Sequence, residues 1–502
     1  MANAQLSAHV DVAPRVCEGY VFPVRGRVFP VRGEAMELKK KVLLVNPPSS
    51  VAVYNRSKIT AAVPRVPVQS LATLGAVLLR DGHDVQILDL MLSHNVEDDI
   101  VSRLREFEPD TVGVTFTTPL YNEALSICET VKRYDPDVLT IAGGVHPTAL
   151  PEDTLRASRF DIVVVGEGDV TLPELLSADD PASVNGICYR KDGDYVRTPP
   201  RPLVPDLDEL PFPAAHLYDI HRYRTSRVTS RRNPVGGIIT GRGCAFDCTF
   251  CNKSVFGRKF RPKSPQYVLE EIKRLVRLGY REIHVLDDLF AMDMKRAKRV
   301  CELIVADGLD ITINLFSGLR VNTVDRELLE LLKAAGCYSV SYGPESGNQQ
   351  LLDSIKKGIT LEQSRRAIAL TKEVGLETVA FFMFGLPGET EETMRQTIDF
   401  AIELDPDYAK VTLLLPFPST PLFDELEEAG RILSRDWQKY NFHCTSEVWQ
   451  HPSLSWDTLK SYYDLFYRKF YLRPRYIGKR LRRGLLTGDA FFDAVYMIRN
   501  FF

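Results

Sequence analysis

Along most of the chain, short apolar runs alternate with stretches of helix length in which apolar positions recur every third or fourth residue. Strand-then-helix units of this kind build parallel sheets. In the first half the pattern predicts strands at 42–46, 84–88, 111–116, 138–142 and 161–165, with helices at 70–80, 96–107, 120–134 and 151–158. These units predict a doubly wound, Rossmann-like domain over 39–198, its ligand lying beyond the carboxyl ends of the strands. A hairpin over 186–198 turns at Asp192-Gly193. The stretch 199–213 holds six prolines, and 199–226 reads as an extended linker that sets the separation of two domains. A second series, at 236–240, 282–286, 312–316, 339–342, 378–384 and 409–415, predicts a partial (β/α)6 barrel over 227–430. From 431 the pattern becomes helical, giving a C-terminal region over 431–502. Residues 1–38 contain a tandem VFPVRGR and VFPVRGE without amphipathic period and read as a mobile leader, the alternative being a short strand arm.

With 502 residues and 44% hydrophobic content, the chain can fill two or three cores. A net charge of -3 counts against general nucleic-acid binding, so no nucleic-acid partner is expected. No early segment combines a basic start with an apolar core, and no apolar run is long enough to span a bilayer. A cytoplasmic protein is expected, soluble or at most peripheral to the inner face of the membrane. Nine cysteines without a paired framework agree with a reducing compartment.

Three of those cysteines carry the chemistry. The stretch GRGCAFDCTFC after the first barrel strand sets Cys244, Cys248 and Cys251 in a CxxxCxxC spacing. Thiolates so spaced serve iron-sulfur clusters, and a zinc site or plain structural thiols are the alternatives. Zinc wants four ligands, and no second CxxC or HxxxH follows at a suitable distance; Cys301 and Cys337 read as helix or strand residues. Three thiolates on a four-iron four-sulfur cluster leave one iron open. Together with Phe250 just before the last cysteine, this loop resembles that of the radical S-adenosylmethionine (radical SAM) enzymes. The resemblance implies that SAM chelates the open iron, that the reduced cluster cleaves it to a 5'-deoxyadenosyl radical, and that this radical removes hydrogen from an unactivated carbon. It also implies an electron donor such as flavodoxin or ferredoxin.

The strand ends of the first domain read Asn46-Pro47-Pro48, Thr115 to Thr118, Gly143-Gly144-Val145-His146-Pro147 and Gly166-Glu167-Gly168-Asp169. Glycines admit close backbone approach, and hydroxyls and amides suit a ligand rich in amides. Directly upstream of a radical SAM loop, the GGxHP and VGEGD stretches resemble the cobalamin-binding domain of cobalamin-dependent radical SAM enzymes; a nucleotide-binding or merely structural domain is the alternative. The resemblance implies cobalamin contacts at Asn46, Pro47, Thr115, Thr117, Gly143, Gly144, His146, Gly166, Glu167 and Gly168. The D-x-H-x-x-G motif that supplies a cobalt ligand elsewhere is absent: Gln86 stands where its glycine should be, and His83 reads as a surface turn histidine at the wrong end of the sheet. The loop around Arg65 to Val68 is the expected floor under the corrin ring.

In the barrel, the resemblance implies SAM contacts at Asp287, Asp288, Ser317, Arg320, Glu345, Ser346, Gly385 and Pro387. For Arg320 and Glu345 an ordinary salt bridge between neighbouring strand ends is the alternative. None of these carboxylates reads as a catalytic base, and no catalytic residue is assigned. Three functions follow: methylation of an unactivated carbon, with a phosphinate phosphorus as a variant; ring formation or rearrangement without net methyl transfer; or a non-catalytic corrinoid or iron-sulfur carrier. The substrate expected is a small molecule or lipid-like compound. In the tail, Leu459, Tyr462, Tyr463, Phe466, Tyr467, Phe470 and Tyr471 form an aromatic stripe at helical spacing, ending before Pro474. The stripe packs on the barrel or, with eight basic residues from Arg468 to Arg483, holds the barrel mouth near an anionic membrane.

Overall fold

The computed structural model describes residues 39–49, 65–227, 229–442 and 446–487. Five parallel strands, β1 (Lys41–Asn46), β2 (Asp84–Asp89), β3 (Thr111–Thr115), β4 (Leu139–Gly143) and β5 (Ile162–Val164), run in the order β2-β1-β3-β4-β5. Helices α1 (Gln69–Arg80), α2 (Val96–Phe107), α3 (Tyr121–Tyr134) and α4 (Gly168–Ser177) cover both faces. Leu71, Leu78 and Leu172 pack with Val42 and Leu44 on one side, and Ile100, Leu104 and Ile127 with Leu43 and Val45 on the other. Burial on both faces is why β1 reads as an unbroken apolar run. The order reverses beside β1, which opens a crevice at the carboxyl ends of β1 and β3.

The hairpin is found, with β6 (Ile187–Lys191) and β7 (Asp194–Arg197) joined through positive φ angles at Asp192 and Gly193. It joins the first sheet: β6 runs antiparallel to β5, giving seven strands. Buried Ile187, Cys188 and Tyr189 supply the apolar surface that covers the free edge of β5. The proline-rich stretch is also more than a spacer. Val204, Leu207 and Leu210 pack with Val77 of α1, so the connection is glued to the first domain. His83 does lie in the turn before β2, but it is buried, and its Nδ1 accepts the Lys40 N–H at 3.3 Å. A surface histidine is therefore corrected to a buried one that ties the turn to the start of β1.

The second sheet is parallel throughout. It contains β8 (Val235–Ile238), then, beyond a two-stranded ribbon of β9 (Gly241–Arg242) and β10 (Arg261–Pro262), β11 (Glu282–Val285), β12 (Thr312–Leu319), β13 (Cys337–Glu345), β14 (Glu377–Phe384) and β15 (Tyr408–Leu413). The six strands follow in sequence order, as in a partial barrel. Helices α5 (Pro265–Arg277), α6 (Met294–Asp307), α7 (Arg326–Ala334), α8 (Leu361–Val374) and α9 (Glu391–Leu404) bury its outer face. Cys301 lies in α6 and Cys337 in β13, both buried.

After α10 (Pro421–Glu428) the chain is irregular up to α11 (Trp456–Tyr471), rather than helical from 431. The aromatic stripe packs on the barrel: Leu459, Phe466 and Phe470 are fully buried. Two tyrosines take the place of a neighbouring strand at the edge of β15. The Tyr471 hydroxyl donates to the Ala409 carbonyl at 2.8 Å and accepts its N–H at 3.1 Å, and Tyr467 does the same at Val411, at 3.1 and 3.3 Å. An edge that would template foreign strands is thereby closed. Helix α12 (Pro474–Thr487) follows beneath the amino ends of β14 and β15. Arg473, Lys479 and Arg483 form ion pairs with Asp405 and Asp407 there. The described basic segment is thus at the end opposite the barrel mouth and is partly neutralised by the barrel. The apolar stretch 488–502 and the leader 1–38 lie outside the described residues. Among those described, no helix is long and apolar enough to cross a membrane.

Candidate active site

The cysteine loop springs from the carboxyl end of β8 and is held rigidly. Asp287, at the end of β11, accepts both the N–H and the hydroxyl of Thr240, while Arg296 donates to the Thr240 and Lys263 carbonyls. Burial raises the Asp287 carboxyl to about 6. Its neighbour Asp288 accepts the Gly243 N–H at 2.9 Å, and burial raises its pKa too. Gly243 has φ +84, and a Cβ there would sit on the Lys259 carbonyl oxygen, so only glycine fits. The loop apex is pinned from two sides, by Thr249 N–H to Ile355 and by Leu422 N–H to Thr249, each at 3.1 Å. Asp287 and Asp288 therefore act on the loop backbone; the structure gives their carboxylates structural partners.

Cys244, Cys248 and Cys251 are free thiols, partly or well exposed on this loop. Desolvation first, then repulsion from Cys248 and Cys244, pushes the Cys251 thiol up to about 11. Among the described residues no three His, Cys, Asp or Glu side chains converge on a point fit for one metal ion. Three thiols on one short loop suit a cluster that offers a separate iron to each.

Around the mouth, the Arg320 guanidinium lies 3.5 Å from the centroid of the Phe246 ring and 3.8 Å from the Cys248 sulfur. Its Nη2 is buried without a partner. Glu345, at φ +63, is paired with Lys357 at 2.6 Å, so Arg320 and Glu345 do not bridge each other. Phe250 lies beneath the Lys357 ammonium, 5.7 Å from it. Ser317 is exposed on β12. Ser346 is fully buried, bonded to the Thr397 hydroxyl at 3.2 Å, and so braces β13 against α9 instead of facing the mouth. Gly385 and Leu386 donate their N–H groups to buried Glu389, which burial raises to about 8 and whose other oxygen has no partner. Pro387 is half-buried in that turn. A strap missed in the sequence holds the turn from outside: Trp449 donates to the Leu414 carbonyl at 2.9 Å, His451 meets the Leu386 carbonyl at 3.1 Å, and Ser453 donates to the Glu389 carbonyl at 3.2 Å. No local spacing marks these residues; only the fold brings them to the turn.

Between the two sheets lies a largely apolar cleft of about 1020 Å³, counted with the open space at its mouth. Leu44, Gly113, Ile141 and Val164 form its floor on the first sheet, with α1 and α4 as side walls. Arg242, Phe256 and Tyr267 close it from the barrel side. Of the strand-end residues singled out above, Thr115, Gly143, Gly144, Gly166, Glu167 and Gly168 line the cleft. Gly144 has φ +99, and a Cβ would press on Thr115 and Phe116.

The others are engaged elsewhere. Asn46 donates to Asp89 at 2.7 Å and Pro47 is buried beside it; Thr117 faces solvent. His146 has no exposed surface: its Nδ1 meets Thr118 at 3.2 Å, and Phe116, Tyr121 and Trp437 surround the ring. Burial lowers its pKa to about 3, so it is a neutral core histidine. Glu167 and Asp169 both line the cleft, and their carboxylates are paired: Glu167 binds Arg242 and Arg261, each at 2.9 Å, and Asp169 binds Arg242 at 2.7 Å. These four buried charges join the VGEGD loop to the ribbon beside the cysteines. The Arg65 to Val68 loop is tied down by mutual Arg65–Thr225 hydrogen bonds at 2.9 and 3.2 Å.

The comparisons with known proteins agree with this arrangement. Residues 238–401 match the radical SAM superfamily, and residues 59–176 match the B12 binding domain. The chain is 35% identical over 464 residues to an uncharacterized methyltransferase of Pyrococcus horikoshii, covering 89% of this chain and 98% of that protein. It is 31% identical over 432 residues to an anaerobic magnesium-protoporphyrin IX monomethyl ester cyclase of Rubrivivax gelatinosus, covering 83% of this chain and 77% of the relative. In fold it matches the radical SAM methyltransferase TsrM of Kitasatospora setae with a TM-score of 0.65 at 24% identity, over 80% of this chain and 76% of that one. The chain therefore belongs to the cobalamin-dependent radical SAM enzymes, whose cofactors are a four-iron four-sulfur cluster, S-adenosylmethionine and cobalamin.

Proposed function

We propose that this enzyme methylates an unactivated carbon of a small molecule. The observation that carries the reading is the juxtaposition of a cleft fit for the flat, apolar parts of cobalamin with a rigid loop of three free thiols. The likeness to a methyltransferase over 98% of that relative's length supports it. When bound, the cofactors supply an adenosyl radical and a transferable methyl group. The chain's own residues bind, orient and exclude water. Cys244, Cys248 and Cys251 hold the cluster, while Phe246 and Arg320 fix its flank. The Gly385 to Pro387 turn, Ser317 and the Glu345–Lys357 pair offer polar groups to SAM. Gly113, Gly143, Gly144, Gly166 and Gly168 give the corrin and its nucleotide tail a backbone surface, and the Arg242 and Arg261 lock keeps that surface at a constant distance from the thiols. A reductant protein, flavodoxin or ferredoxin in kind, supplies the electron.

Ring formation without net methyl transfer is the second reading, supported by the 31% likeness to a cyclase. A carrier role is disfavoured, because the chain belongs to the radical SAM enzymes and its three thiols leave one iron of a four-iron cluster open for SAM. Profiling of small molecules and lipids in cells with and without the protein separates the first two readings. Gain of one methylene group supports methylation; loss of two hydrogens supports ring closure and overturns it.

A further inference from the structure

The outer positions of β14 and β15 are apolar: Ala380, Phe382 and Phe384 with Ala409, Val411 and Leu413 join the core beneath the helices. Side chains alternate along a strand. Phe381 and Lys410, paired in register, therefore stand on the opposite, concave face that lines the barrel interior. The Lys410 ammonium lies 5.7 Å from the centre of the Phe381 ring, and among the described residues it makes no hydrogen bond or ion pair. Burial alone shifts its pKa, and the direction is down.

Acids at the strand ends of the barrel are committed elsewhere. Glu282 accepts from Tyr338, Thr312 and two backbone N–H groups at the barrel floor. Glu345 holds Lys357, and Asp407 holds Arg483 and Lys479. A half-buried ammonium inside the barrel with only a ring beside it has lost part of its hydration, and a ring contact recovers a small part of that. An anion brought by a ligand recovers far more. Lys410 lies within about 10 Å of strand below the rim at Leu413, so an anion held there leaves the rest of the molecule reaching up to the mouth.

We infer that Lys410 anchors a carboxylate or phosphate-type group of the substrate, which makes the substrate an anionic small molecule with an apolar reacting portion. The inference rests on the enzymatic reading above. SAM also carries a carboxylate, but Lys410 stands on β15, at the far edge of the sheet from β8 and its thiol loop. The proposal commits to the substrate, and the test separates the two.

Fluorine NMR is used to follow 4-fluorobenzoate and difluoromethylphosphonate binding to full-length protein loaded with cluster and cobalamin, with and without saturating SAM. At least one anion binds the wild type with SAM present. Lys410→Met or Lys410→Gln, whichever retains wild-type cobalamin absorbance, weakens that binding about thirtyfold or more, and Lys410→Arg restores most of it. Failure of the wild type to bind either anion, equal binding by wild type and variant, or displacement of the anion by SAM each overturns the proposal. Formation of 5'-deoxyadenosine is measured in the same samples; its absence from the wild type counts against the enzymatic reading, while the anion titration still decides Lys410.

Discussion

The two parallel sheets offer their carboxyl ends to ligands in opposite ways. On the first sheet, the side chains that give the motifs their character are turned into the protein: Asn46 onto Asp89, His146 into an aromatic cage, Glu167 and Asp169 onto two arginines. What remains of the motifs at the cleft is chiefly glycine, beside Thr115 and an apolar floor. On the barrel, the reactive side chains stay in the open, with three free thiols and the exposed Ser317 around the mouth. A large cofactor recognised over its whole surface is served by shape, whereas a reacting centre is served by individual groups. A polar residue inside a binding motif is therefore not by itself a contact residue.

The comparison breaks most severely at the thiols. Cys244→Ala, Cys248→Ala or Cys251→Ala abolishes both cluster incorporation and SAM cleavage, read as iron and sulfide content and as 5'-deoxyadenosine after anaerobic reconstitution, while cobalamin loading persists. Deoxyadenosine from a triple-alanine protein would remove the cluster assignment altogether. Next in size is the lock between the two rims. Arg242→Leu leaves the Glu167 and Asp169 carboxylates buried with less than their counter-charge, which costs about 3–5 kcal/mol of stability. Urea denaturation measures the loss, and cobalamin loading and SAM cleavage fall together, because the lock belongs to both rims.

Glu389 gives a graded effect confined to the barrel side. Folding raises its pKa from the ordinary 4.5 to about 8 through burial, so the folded protein keeps a proton that the unfolded chain releases in between. Its contribution is complete below 4.5 and is lost as pH rises through about 8. The barrel loses on the order of a few kcal/mol across that window. Glu389→Gln keeps an acceptor for the Gly385 and Leu386 N–H groups and removes the titration, so its melting temperature changes less between pH 5 and pH 9 than that of the wild type. Parallel curves for the two proteins would show that Glu389 is ionised at neutral pH.

The strands of the first sheet were legible because cover on both faces forces continuous apolar runs, and those of the barrel because their outer positions are apolar beneath the helices; all eleven parallel strands lie within a few residues of their expected places. The thiol loop was legible because its spacing is local. What escaped depends on pairs far apart in sequence. Arg261 meets Glu167 across 94 residues and Arg242 meets Asp169 across 73, with nothing nearby in either stretch to announce the partner. The Tyr467 and Tyr471 hydroxyls were hidden for another reason: helical spacing reveals that a stripe is buried, but not that its polar tips complete a sheet edge. His83 and His146 were read by position in a loop, and burial reversed the first and redirected the second.

The finest test lies within one motif, GGxHP, where neighbouring residues have opposite parts. Gly144→Ala forces a Cβ onto Thr115 and Phe116 at a positive φ, so the strand end must shift at the cleft itself. It costs about 1–2 kcal/mol and weakens cobalamin binding. His146→Leu removes the Thr118 hydrogen bond from a ring that never reaches the cleft. The neutral histidine carries no charge to lose, so the cost is about 1 kcal/mol, with cobalamin affinity unchanged. Equilibrium dialysis of both variants against cobalamin, paired with their denaturation midpoints, measures affinity and stability separately. Equal stability losses with unequal affinity would confirm the division between cleft backbone and core side chain. A loss of affinity in His146→Leu larger than its loss of stability would return His146 to the cofactor and dissolve the contrast between the two rims.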